Sequence, residues 1–95
     1  MRDYELAFIV TPNIDDEGVT SVVDKVSQFV TAINGQVTSV DVWGRKTLAY
    51  SINNHREGTY VLFQAKIPPS ALTELERNLK LSEEIIRYLL VKVEN

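Results

Sequence analysis

The apolar residues of this chain alternate, then recur every three or four positions, then alternate again, and those changes of period mark out its elements. Tyr4, Leu6, Phe8 and Val10 share one side of an extended run, with Glu5, Ala7 and Ile9 on the other, which predicts a first strand over 4–10. Thr11-Pro12-Asn13 stops it. Val19, Val22, Val23, Val26, Phe29, Val30 and Ile33 follow at helical spacing. Asp15, Asp16 and Glu17 stand where a helix start presents free amides and the positive end of its dipole, and Asn34-Gly35 is the matching stop. Valine loses side-chain freedom in a helix, so this helix needs a sheet to pack on.

Residues 36–52 have strand composition interrupted by Gly44. Extended at roughly 3.3 Å per residue they would span about 56 Å, too long for a straight strand in so small a chain. A bent or bulged edge strand is expected, with its facing changed near Gly44. Asn53-Asn54-His55-Arg56-Glu57-Gly58 reads as a hairpin loop. In the third strand, 59–67, Val61, Phe63, Ala65 and Ile67 share one face, while Tyr60, Leu62 and Gln64 share the other. Pro68-Pro69-Ser70 opens a second helix with the stripe Leu72, Leu75 and Leu79. A last strand, 85–93, sets Tyr88 and Leu90 against Leu89, Val91 and Val93.

The order strand-helix-strand, strand-helix-strand, with right-handed crossovers, gives an α+β class chain. It is a ferredoxin-like βαββαβ two-layer sandwich, a four-stranded antiparallel sheet of order 4-1-3-2 with both helices on one face. A single domain over residues 1–95 is expected. Two helices cover only one sheet face. The other carries Ala7, Ile9, Tyr60, Leu62, Leu89, Val91 and Val93, with Trp43 and Tyr50 on the edge strand extending it. Strand propensity alone favours such residues, but so many large ones of one parity point to a partner surface.

Composition narrows the function classes. An apolar fraction of 44% and a charged fraction of 24% are those of an ordinary soluble chain. Such a length buries roughly two-thirds of the unfolded surface. No cysteine is present, so disulfides and thiolate metal sites are excluded, and a reducing cytosol is permitted. No run approaches a membrane span, and Met1-Arg2-Asp3-Tyr4-Glu5 has no signal-peptide character. The net charge of −3 counts against autonomous nucleic-acid binding, though not against binding shared with a basic partner.

Little points to catalysis. His55 is the only histidine and stands in a turn-like stretch, so zinc lacks a ligand set. Helix capping explains Asp15-Asp16-Glu17 without a cation, Glu83-Glu84 flank the last turn, and the serines lack a base other than His55. The four glycines are scattered, which excludes a phosphate-cradling loop. No catalytic residue, metal or cofactor is expected. In the 4-1-3-2 order, however, Arg2 and Lys92 meet at one corner beside Tyr4, a pair of cations and a ring suited to phosphate and base contact. Solvated terminal charges around a half-buried tyrosine are the alternative. Arg45, Lys46 and Arg56 are equally ambiguous.

Several segments resemble bacterial small-subunit ribosomal protein six: Arg2-Asp3-Tyr4-Glu5, Pro12-Asn13, Gly44-Arg45-Lys46-Thr47-Leu48-Ala49-Tyr50-Ser51-Ile52, Gly58-Thr59-Tyr60 and Leu90-Val91-Lys92. The resemblance covers essentially the whole chain. It implies a cytoplasmic, non-enzymatic protein of the small ribosomal subunit. Such a protein forms a heterodimer with small-subunit ribosomal protein eighteen and binds the central domain of small-subunit rRNA during platform assembly. By position, it implies RNA contacts at Arg2, Tyr4 and Lys92, with Arg45, Lys46, Arg56 and Arg87 as weaker ones. It implies partner contacts at Trp43, Leu48, Tyr50, Tyr60 and Leu62. Ser51 departs from the proline common there, and contacts made by a tail beyond the last strand are expected to be absent. A ligand-binding regulatory domain of the ACT type shares the strand-helix order, but usually has a glycine-bearing loop after the first strand, which Thr11 to Asp16 lacks.

Overall fold

The computed structural model describes residues 1–52 and 54–93. Its elements run β1 (Arg2–Val10), α1 (Asp16–Ala32), β2 (Gln36–Ile52), β3 (His55–Ile67), a 3-10 turn (Pro69–Ala71), α2 (Leu72–Leu81) and β4 (Ile85–Lys92). The sheet is antiparallel, in the order β2-β3-β1-β4, which is the 4-1-3-2 arrangement read from the other edge.

One layer of side chains binds the sheet to both helices. Leu6, Phe8 and Val10 of β1 and Val61, Phe63 and Ile67 of β3 meet Val22, Val26 and Val30 of α1 and Leu75 and Leu79 of α2. Phe8 and Phe63 cross at their centre, ring centroids 5.4 Å apart and tilted by 52°, a geometry that favours aromatic pairs beyond burial alone. The valine-rich α1 is therefore held by its packing. It starts where Asp15 accepts from the Gly18 amide at 2.8 Å. It ends in a Schellman arrangement: Asn34 takes φ of +64°, and the amides of Asn34 and Gly35 donate to Thr31 and Val30.

β2 bends as its length requires, because the whole chain extends only 35 × 25 × 21 Å. Its register against β3 slips between Val42 and Gly44, where Trp43 is the extra residue and Gly44 takes φ of +90°. A second slip lies between Val37 and Ser39, with nothing in the composition to announce it. The hairpin differs from expectation too. β3 begins at His55, so residues 55–58, expected as loop, belong to the strand; Asn53 lies outside the described residues. Their polar composition reflects a strand end without a core face to fill. The proline segment forms a 3-10 turn before α2 rather than its first α-turn.

Candidate interface for RNA and a protein partner

The pairing registers lay out the sheet face opposite the helices in rows. Asp41, Leu62, Ala7 and Leu89 form one row from β2 to β4; Gly44, Tyr60, Ile9 and Arg87 form the next. On the other side of the first row, Ser39, Gln64, Glu5 and Val91 are aligned. Because strand side chains alternate, these residues face away from the buried Leu6, Phe8 and Phe63. Leu89 is 63% exposed and Val91 46%, while Ala7, Tyr60 and Leu62 are half-buried. Neither helix covers this apolar face.

Trp43 joins it. Its indole N–H donates to the Asp41 carboxylate at 2.9 Å, and Asp41 is paired with Leu62, so the bulge presents the indole at the β2 rim of the open face. Tyr50, also exposed, meets Arg87: the guanidinium donates to the phenol oxygen at 2.7 Å and stands 5.9 Å from the ring centroid. Leu48, expected as a partner contact, is 8% exposed, the least accessible of that set.

The corner between β1 and β4 brings its three expected members side by side. Tyr4 is paired with Lys92, and the Val93 amide donates to the Asp3 carbonyl at 2.8 Å. Arg2 is then the diagonal neighbour of Lys92, about 7–8 Å away in an ordinary sheet, and both cations are exposed. Tyr4 is 6% exposed and packs with the core, so the two cations are the more accessible members of the corner.

The other candidate cations lie at the opposite end of the sheet. Arg45 donates to the Pro12 carbonyl at 2.8 Å and lies 3.8 Å from the Glu57 carboxylate, tying β2 to the loop after β1. Lys46 projects from the other face of β2, since its partner is Gly58 where that of Arg45 is Thr59. Arg56 is exposed on β3. Counted along β1, the Arg45 row, which runs through Thr59 to Val10, stands six residues from the Tyr4–Lys92 row and eight from Arg2, roughly 20–26 Å of strand.

A polar groove beside this end holds His55, Thr11, Asn13, Lys25 and Glu84. A backbone hydrogen bond and the Lys25 ammonium, 3.2 Å away, hold the Glu84 carboxyl below the usual carboxylate range against a smaller opposing effect of burial. Among the described residues, no group of three or more His, Cys, Asp or Glu could hold a metal, and no helix is long and apolar enough to cross a membrane. The Tyr50–Arg87 contact was beyond sequence reasoning, as the residues come from opposite edges of the sheet.

Comparison with known proteins adds three findings. The sequence model of the family described as Ribosomal protein S6 matches residues 3–92. The small ribosomal subunit protein bS6 of Moorella thermoacetica is 47% identical over 94 residues, covering 99% of this chain and 96% of its own, and that of Clostridioides difficile is 43% identical over 91 residues, covering 96% and 98%. The crystal structure of 30S ribosomal protein S6 from Thermotoga maritima superposes with a TM-score of 0.92 at 29% identity, over 97% of this chain and 87% of that one.

Proposed function

The chain belongs to the ribosomal protein S6 family of the small ribosomal subunit, and we propose that it binds the central domain of small-subunit rRNA jointly with small-subunit ribosomal protein eighteen. The family is one of ribosomal structural proteins rather than enzymes, so the function to explain is assembly. The carrying observation is the uncovered apolar face on an acidic chain. Exposed Leu89 and Val91, half-buried Tyr60 and Leu62, and the rim indole of Trp43 make a surface whose burial against a protein is favourable. Asp41 and Glu5 in its rows suit a basic partner.

RNA contact then falls to the cations. Arg2 and Lys92 supply adjacent positive charges for phosphates at one corner, and Lys46 and Arg56 supply a second, separate set. With a net charge of −3, these contacts need the partner's positive charge beside them, which makes binding cooperative. Sedimentation of an equimolar mixture with protein eighteen tests the partnership: a heterodimer supports it, and two independently sedimenting species oppose it.

A further inference from the structure

The far end of the β2–β3 hairpin is held less by its ladder than by side chains. Among the described residues, the register runs to Thr47↔Glu57 and resumes only at Ile52↔His55, so 48–51 have no register partners. A segment with an interrupted ladder opens locally unless other contacts close it. Leu48 supplies one such contact by burial. Tyr50 supplies the other through its hydrogen bond and cation–π contact with Arg87.

That second contact joins opposite edges of the sheet. Tyr50 comes from β2 and Arg87 from β4, with β3 and β1 between them. Arg87 is paired with Ile9, and Ile9 with Tyr60, so a contact from the hairpin to Arg87 passes over Ile9. This agrees with the exposures: Ile9 is only 9% exposed although it faces away from the helices, whereas Leu89, one row further along β4, is 63% exposed. The Gly58 backbone also lies close enough to Ile9 that a Cβ there would collide with its Cγ2.

We infer that the Tyr50–Arg87 contact is a latch that holds the hairpin across the Ile9 end of the open face, so that the docking surface is already shaped before the partner arrives. This rests on the docking reading above. The consequence is kinetic. A hairpin ordered in the free protein need not be ordered during binding, and a partner meets a competent surface in nearly every molecule rather than in a fraction of them. The latch also turns Arg87 toward the protein partner rather than toward RNA, since its guanidinium is engaged on the open face.

The test uses Tyr50→Phe, which keeps the ring and removes only the phenol oxygen, and Arg87→Gln, which removes the charge and the donor geometry. Amide exchange is followed in the free protein, and association with protein eighteen by stopped flow, with Tyr60→Ala as the control for docking itself. Both latch variants are expected to exchange residues 48–52 and 54–57 about ten-fold faster while β1 and β4 stay protected. Association is expected to slow by three- to ten-fold, with dissociation changed less than two-fold. Unchanged exchange and association in both variants, with Tyr60→Ala still weakening the complex, would overturn the latch and leave the docking reading intact. Absence of wild-type binding would overturn both.

Discussion

The Trp43 indole N–H reaches the Asp41 carboxylate at 2.9 Å across a β-bulge, and this bond decides which side of the sheet the tryptophan serves. In a regular strand the two would share a face; here Trp43 is the extra residue of the bulge, next to the Gly44–Tyr60 pair, and stands 54% exposed at the rim. An indole fixed by its only polar atom is a rigid anchor, and such aromatic groups dominate docking energies. Trp43→Ala and Tyr60→Ala are each expected to weaken binding of protein eighteen by about 2 kcal/mol, or roughly 30-fold. Titration calorimetry reads this directly, and unchanged affinity in both variants would remove the apolar face from the account.

Two glycines separate steric from conformational demand. A Cβ on Gly58 would collide with Ile9 Cγ2 and come within 3.3 Å of the Val10 carbonyl, whereas one on Gly44 would meet nothing within 4 Å but would have to adopt φ of +90°. Gly58→Ala is expected to cost about 1–3 kcal/mol through overpacking. Gly44→Ala should cost about 1–2 kcal/mol through the backbone, and Gly44→Asn less, because asparagine tolerates positive φ. Urea unfolding of the three variants gives the order; Gly44→Asn less stable than Gly44→Ala would contradict a backbone origin.

At the β1–β4 corner, Arg2→Ala combined with Lys92→Ala should weaken RNA binding by the preformed heterodimer. It should also flatten the dependence of log affinity on log salt by roughly two units, one per lost phosphate contact. Tyr4→Phe should leave RNA binding unchanged, because the ring is in the core. A salt slope that does not move would relocate the RNA site to the Lys46–Arg56 end.

Glu84 carries an acid-sensitive contribution to stability. Its folded pKa is depressed, first by the backbone hydrogen bond and then by Lys25, so the stabilisation is complete above the ordinary glutamate range and is lost as pH falls through the lowered folded value. Both side chains are 39% exposed, which limits the contribution to about 1 kcal/mol or less after solvent screening. Glu84→Gln should therefore be slightly less stable than wild type at pH 7, and the two should converge in acid. A gap that stays constant across pH would assign the effect to shape rather than charge.

Much of this arrangement is legible in the residues. Period-two and period-3.6 patterns locate every strand and helix, because each element has one face that must be buried, and Gly44 marks the bend of β2. What escapes has a physical cause in each case. Residues 55–58 read as loop because a strand end that covers no core shows no alternation. The slip near Thr38 has no glycine or proline to reveal it. Tyr4 shares its parity with Leu6, Phe8 and Val10, and that pattern already assigns it to the core, where it is 6% exposed. Tyr50 and Arg87 lie 37 positions apart on opposite edge strands, and only the folded chain brings them into contact.

Shared binding is tested most directly by calorimetric titration of a central-domain rRNA fragment, first with this protein alone and then with protein eighteen present. Weak or undetectable binding alone and tight binding together is the predicted result, since an acidic chain with two small cationic sites needs a partner's charge and surface. Equally tight binding with and without protein eighteen, or none in either case from a folded sample, would contradict it.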